Sequence, residues 1–192
     1  LAAQAHGRET GAVVKADAYG LGADRVAPAL WAAGARRFYV AQIEEGLTLR
    51  ALLPQADIVT LAPVLPEGLA AARAAGLIVS LNGPAALGHW RADGQRAGKP
   101  VAAVLHIDTG MTRLGFDDRE VGAVWATLSP VERVGIVEAA SHLACADESG
   151  HPANRDQLAR FQRATAELPP TMRRSLANSS GIFLGGDFQQ TS

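Results

Sequence analysis

Short apolar runs alternate along this chain with longer stretches in which apolar residues recur every three or four positions. The first pattern suits strands buried on both faces, and the second suits amphipathic helices that lay one face on a core. Read this way, the sequence predicts seven strands, over Gly11 to Ala16, Arg37 to Ala41, Ile58 to Ala62, Leu77 to Leu81, Val101 to Ile107, Gly135 to Ser141 and Arg174 to Asn178. Helical patterns fill the intervals near Ala23 to Ala33, Ile43 to Leu53, Pro66 to Ala75, Pro84 to Ala97, Asp118 to Leu128 and Pro152 to Leu168. Gly34, Gly76 and Gly98 fall where a left-handed residue would close a helix, and Pro28 falls within the first turns of another.

Such regular alternation, with no low-complexity linker and no charge block, predicts one α/β domain on a parallel sheet, either closed as a barrel or open and doubly wound. No G-x-G-x-x-G follows any strand, and Gly20-Leu21-Gly22 lacks the third glycine, so a dinucleotide site is disfavoured. A closed barrel takes eight strands and about 250 residues. With seven strand-helix units in 192 residues, the expectation is an incomplete barrel, cut at both ends: no helix precedes the first strand and no eighth strand follows Gly185-Gly186-Asp187.

Composition narrows the partners. A 48% apolar content fits a globular protein, and a net charge of -1 with no basic stripe gives no reason to expect nucleic acid or an anionic membrane. No apolar run approaches the roughly 20 residues of a membrane helix, and residues 1–8 do not build a signal peptide. Cys145 has no partner for an intrachain disulfide, so a cytoplasmic setting is expected. His142 and Cys145 are too few for a tetrahedral zinc site, so no metal is expected.

The candidate chemistry gathers at strand ends, where parallel α/β folds bind ligands. Lys15 ends the first apolar run, in Ala12-Val13-Val14-Lys15-Ala16-Asp17-Ala18-Tyr19-Gly20. It is either a solvated charge or an amine poised for reaction. Arg113 follows the fifth strand in His106-Ile107-Asp108-Thr109-Gly110-Met111-Thr112-Arg113-Leu114-Gly115. Its guanidinium could pair with a carboxylate ligand in two-point fashion, or with Asp108 on the surface. His142 closes the sixth strand, and Asn178-Ser179-Ser180-Gly181 follows the seventh. That last turn, with a hydroxyl and successive N–H groups, could seat a phosphate or could be a plain turn.

KADAYG, DTGM-x-R-x-G, the histidine after the sixth strand and the ANS segment, in this order, resemble the alanine racemases. The resemblance spans essentially the whole chain and implies an α/β, (β/α)8-type TIM barrel, incomplete, as a single partial barrel domain over residues 1–192 without the family's carboxyl-terminal β domain. It implies pyridoxal 5'-phosphate as cofactor, with Lys15 as the Schiff-base lysine and one of two catalytic bases. Tyr19, Asn178 and Ser179 would serve the phosphate, His142 would pack against the pyridine ring, and Arg113 would meet both the phenolic oxygen and the substrate carboxylate. The reaction would be interconversion of L- and D-alanine for peptidoglycan precursors, in a homodimer for the full-length family. His106 departs from the pattern: many members have a lysine there whose carbamate holds the arginine, and histidine cannot form one. The family's second base, a tyrosine, lies beyond Ser192 and matches neither Tyr19 nor Tyr39, so little activity is expected of the 192 residues alone. The alternative is a non-catalytic, barrel-only pyridoxal phosphate carrier.

Overall fold

The computed structural model describes Ala5 and residues 7–189; the expectations for the first residues and the extreme carboxyl end extend onto 1–4, 6 and 190–192, outside the described residues. The chain forms two compact units. Both follow the same parallel βα plan, the α/β class of an incomplete (β/α)8-type barrel.

The first unit, Thr10–Ser80 and Ala85–Ala103, runs β1 (Ala12–Val13), α1 (Lys15–Gly20), α2 (Ala23–Ala32), β2 (Arg37–Val40), α3 (Ile43–Leu52), β3 (Asp57–Thr60), a 3-10 turn at Pro66–Gly68 continuing into α4 (Leu69–Ala74), then β4 (Ile78–Leu81) and α5 (Pro84–Ala97). The strands pair in parallel and in chain order, with Ala12 opposite Phe38, Phe38 opposite Ile58 and Val59 opposite Ile78. All of β4 is buried, as a strand covered on both faces must be. Phe38, Ile58, Leu77 and Trp90 form the largest part of this core, and the Trp90 indole N–H donates to Val101 O at 2.8 Å. Arg50, at the end of α3, donates to the carbonyls of Leu53, Pro54, Ala56, Ala75 and Gly76. One guanidinium thus fixes the turns that lead into β3 and β4.

The second unit, over the described residues Ala5, 7–9, Leu81–Pro84 and 104–189, holds β5 (Ala103–Asp108) but for its first residue, β6 (Phe116–Asp117), α6 (Val121–Ala126), α7 (Pro130–Gly135), β7 (Ile136–Ala140), α8 (Pro152–Thr165), β8 (Arg173–Ser175) and 3-10 turns at Gly181–Leu184 and Gly186–Phe188. Strand β5 neighbours β7, and β7 pairs in parallel with β8, Glu138 opposite Arg173. Its core is Leu105, Ile107, Leu143, Phe161 and Leu176.

Each of the seven expected strands has a counterpart, and Gly34, Gly76 and Gly98 all take positive φ. Three segments differ from the expectation, one of them the short additional strand β6, which pairs in parallel with β5. The first strand stops at Val13, because Ala18 N–H donates back to Val14 O and a helical turn takes over at Lys15. Helix α7 is additional, started by Ser129, whose hydroxyl accepts from Glu132 N–H while Glu132 accepts from Ser129 N–H, with Pro130 at the first position.

Candidate active site

Lys15 opens a turn that runs the wrong way round. Ala16, Asp17, Ala18 and Tyr19 have φ of 51, 54, 53 and 57 with ψ between 35 and 51, a left-handed helical turn without a glycine until Gly20. For L-residues this costs roughly 1–2 kcal/mol each, or roughly 4–8 kcal/mol in all. Strain of that size persists only where the surroundings over-determine it, and it gathers at functional sites.

The bonds that hold the turn are on hand. Asp17 Oδ1 accepts from Ala23 N–H at 2.7 Å and so caps α2, and Asp17 O accepts from Gly22 N–H. The Ala18 methyl is buried. The Glu45 carboxylate accepts from Ala16 N–H at 2.7 Å. What the turn displays is the half-buried Lys15 and the Tyr19 ring, 63% exposed, with the Lys15 ammonium 5.9 Å from the ring centroid. No carboxylate among the described residues lies within ion-pair distance of Lys15, so the amine is not spent on a surface pair.

In the second unit the loop after β5 is shaped by Asp108, whose Oδ1 accepts from Gly110 and Thr112 N–H at 2.9 and 3.0 Å. That settles the alternative of an Asp108–Arg113 pair: the carboxylate builds the loop, and the exposed Arg113 forms no ion pair among the described residues. Buried Gln157, on α8, ties this loop to the one after β7. Its amide N–H groups donate to Thr109 Oγ1 (3.2 Å) and His142 O (2.9 Å), and its oxygen accepts from Ala144 N–H (2.8 Å). Thr109 and Ser141 hydroxyls complete the network at 2.8 Å.

His106, half-buried, lies within electrostatic reach of Arg113 and His142. Burial, then the His142 ring and the Arg113 charge, push its pKa down to about 4, against a smaller opposing pull from Asp108. It is therefore a neutral imidazole through the physiological range. Since the unfolded chain takes up this proton near 6.5 and the folded one only near 4, stability falls as pH drops between those values. The expected loss is up to roughly 3 kcal/mol. Unfolding free energies from pH 8 to 4 should show a shallower acid slope in His106→Asn than in the parent; identical slopes would refute the assignment.

Asn178 and Ser179 part company. The Asn178 amide donates to Leu143 O (3.3 Å) and accepts from Gly181 N–H (2.9 Å), so it shapes the turn and occupies one of the N–H groups expected to serve a phosphate. The Ser179 side chain is exposed. His142 is half-buried, and no cluster of three or more metal-ligating side chains occurs among the described residues. Sequence reading missed Asp17, Glu45 and Gln157. Gln157 falls on the buried face of α8 with Asn154, Leu158, Phe161, Ala164 and Thr165, and a polar residue at such a core position signals a buried network.

Parallel βα repeats in both units define an α/β protein of the barrel type. Residues 1–191 match the family of the alanine racemase N-terminal domain, and the chain belongs to that family. It is 46% identical over 183 residues to the alanine racemase of Rhodospirillum rubrum, covering 95% of this chain and 49% of that protein. The catabolic alanine racemase of Agrobacterium fabrum is 41% identical over 189 residues, 98% of this chain and 48% of its own length. The chain therefore spans about half the length of these curated relatives. Among solved structures, alanine racemase from Bartonella henselae with covalently bound pyridoxal phosphate superposes with a TM-score of 0.90 at 41% identity, over 97% of this chain and 54% of that one. Histidine racemase from Leuconostoc mesenteroides subsp. sake gives 0.83 at 26% identity, over 94% and 49%.

Proposed function

We propose that this protein interconverts L- and D-alanine, with pyridoxal 5'-phosphate held covalently through the Lys15 amine. The observation that carries the reading is that amine: an unpaired lysine displayed by a strained left-handed turn at a strand's carboxyl end.

The donor set fits the cofactor. An aldehyde needs a primary amine, and Lys15 offers one without a carboxylate partner. A phosphate needs hydroxyl donors, and the exposed Tyr19 and Ser179 carry them. A phenolic oxygen and a substrate carboxylate need a lasting positive charge, which Arg113 supplies. His142 would lie against the ring, while Asn178 keeps the Ser179 turn in shape. Bound to Lys15, the cofactor supplies the electron sink that makes the substrate's α proton removable.

The residues then divide the work. The Lys15 amine takes and returns a proton on one face of the α carbon, and inversion needs a second base on the other. Neutral His106 adds no second positive charge beside Arg113. A histidine racemase shares this fold, so the groups that meet the substrate, Arg113 among them, and not the fold, select the amino acid.

The chain has only two lysines, Lys15 and Lys99, which makes the test clean. After incubation with pyridoxal phosphate, borohydride reduction and digestion, mass spectrometry should find the cofactor on the Lys15 peptide, with Lys99 as the internal control. A label confined to Lys99, or divided evenly between the two, would sink the proposal. Exchange of the α proton of L-alanine into deuterated water by the labelled-competent protein, lost in Lys15→Ala, then separates a racemase from a mere carrier.

A further inference from the structure

Glu45 stands near the start of α3, half-buried, with both carboxylate oxygens committed. Oε2 accepts from Ala41 N–H (2.6 Å) and Gln42 N–H (3.1 Å), where β2 hands over to the helix. Oε1 accepts from Ala16 N–H at 2.7 Å. The helix dipole favours a carboxylate at this end, so the anion is well placed apart from these bonds. Ala16 follows Lys15 directly and is the first residue of the turn with positive φ.

We propose that Glu45 is a positioning residue for Lys15, an inference that rests on the reading of Lys15 as the cofactor lysine. The N–H of Ala16 lies in the peptide plane it shares with the Lys15 carbonyl. Fixing that N–H fixes ψ of Lys15 and φ of Ala16 together, and with them the direction in which the Lys15 side chain leaves the backbone. The left-handed well is uphill for alanine, so the plane needs a strong bond to stay there, and a charge-assisted one is the strongest available. Glutamine at 45 has one accepting oxygen and an amide that can only donate. It can serve Ala16 or the Ala41–Gln42 pair, and at the other end it sets donor against donor.

The test compares Glu45→Gln with Glu44→Gln, an exposed neighbour on the same turn of α3. Amide hydrogen exchange without cofactor should be about tenfold faster at Ala18 and Leu21 in Glu45→Gln alone, with Val79 in the core unchanged. Pyridoxal phosphate should form its reducible Lys15 linkage about tenfold more weakly in that variant. If Ala18 and Leu21 keep the parent rate, or if Val79 accelerates equally, or if the turn loosens while the linkage keeps parental affinity, the inference is overturned. If the parent itself forms no Lys15 linkage while the turn amides respond to Glu45→Gln, the functional reading fails and the control of the lysine's backbone by Glu45 stands.

Discussion

Replacing Gly115 by alanine is expected to cost about 3–5 kcal/mol of stability, far more than the loss of a usual surface glycine. Gly115 has φ of 121, a conformation L-residues rarely adopt. A Cβ built there would lie 2.5 Å from Asp108 N, 2.8 Å from Ile107 C and 2.9 Å from His106 Cδ2. Two of those atoms are backbone of β5, and Ile107 is fully buried, so neither can step aside cheaply. Gly115 N–H also donates to Asn82 O at 3.1 Å, which anchors the segment from the other side. Gly34→Ala is the natural comparison: φ is 103, yet nothing lies within 4 Å of the added carbon. Only the backbone penalty of about 1–2 kcal/mol applies there. Urea denaturation of both variants measures the difference, and equal losses would show that the approach of Gly115 to β5 is unimportant.

Gln157→Leu is expected to lose a similar amount, about 3–5 kcal/mol, by a different route. The replacement keeps the volume and removes every polar atom. Ala144 N–H, His142 O and Thr109 Oγ1 then lose a partner at a position 2% exposed. Each buried group left without a bond costs about 1–3 kcal/mol, although the Thr109 hydroxyl keeps Ser141. On the exposed face of the same helix, Gln162→Leu should stay within about 0.5 kcal/mol of the parent. A loss below about 1 kcal/mol for Gln157→Leu would mean that water replaces the amide and that the network is not what joins the two loops.

Most of the architecture was legible in the sequence because the strands between the first and the last are largely buried. A run such as Ile78 to Leu81 has few other uses, and the glycines at 34, 76 and 98 punctuate helices for a steric reason that survives into the structure. Helix α7 was missed: Ser129-Pro130 with Glu132 following is its trace, but six residues give too short a period to register. The turn at Lys15 was not. Propensity assigns Ala16, Asp17, Ala18 and Tyr19 to right-handed or extended backbone, and only bonds from distant positions, Glu45 above all, override it. The candidate site follows the same division. Residues defined by local strings, Lys15, Arg113 and His142, could be nominated from sequence. Those that hold them, Glu45 and Gln157, act across 29 and 48 positions and leave only a capping pattern and a polar residue on an apolar face as traces.

The handedness of the Lys15 turn has a chemical corollary. A backbone at φ near +55 is the ordinary α conformation for residues of the opposite configuration, so Ala16 and Ala18 occupy wells made for D-alanine. Chemical synthesis with D-alanine at these two positions would leave the path of the chain unchanged and remove the steric penalty there. The lysine would then stand on a support relieved of about half its strain, with the share at Asp17 and Tyr19 left in place.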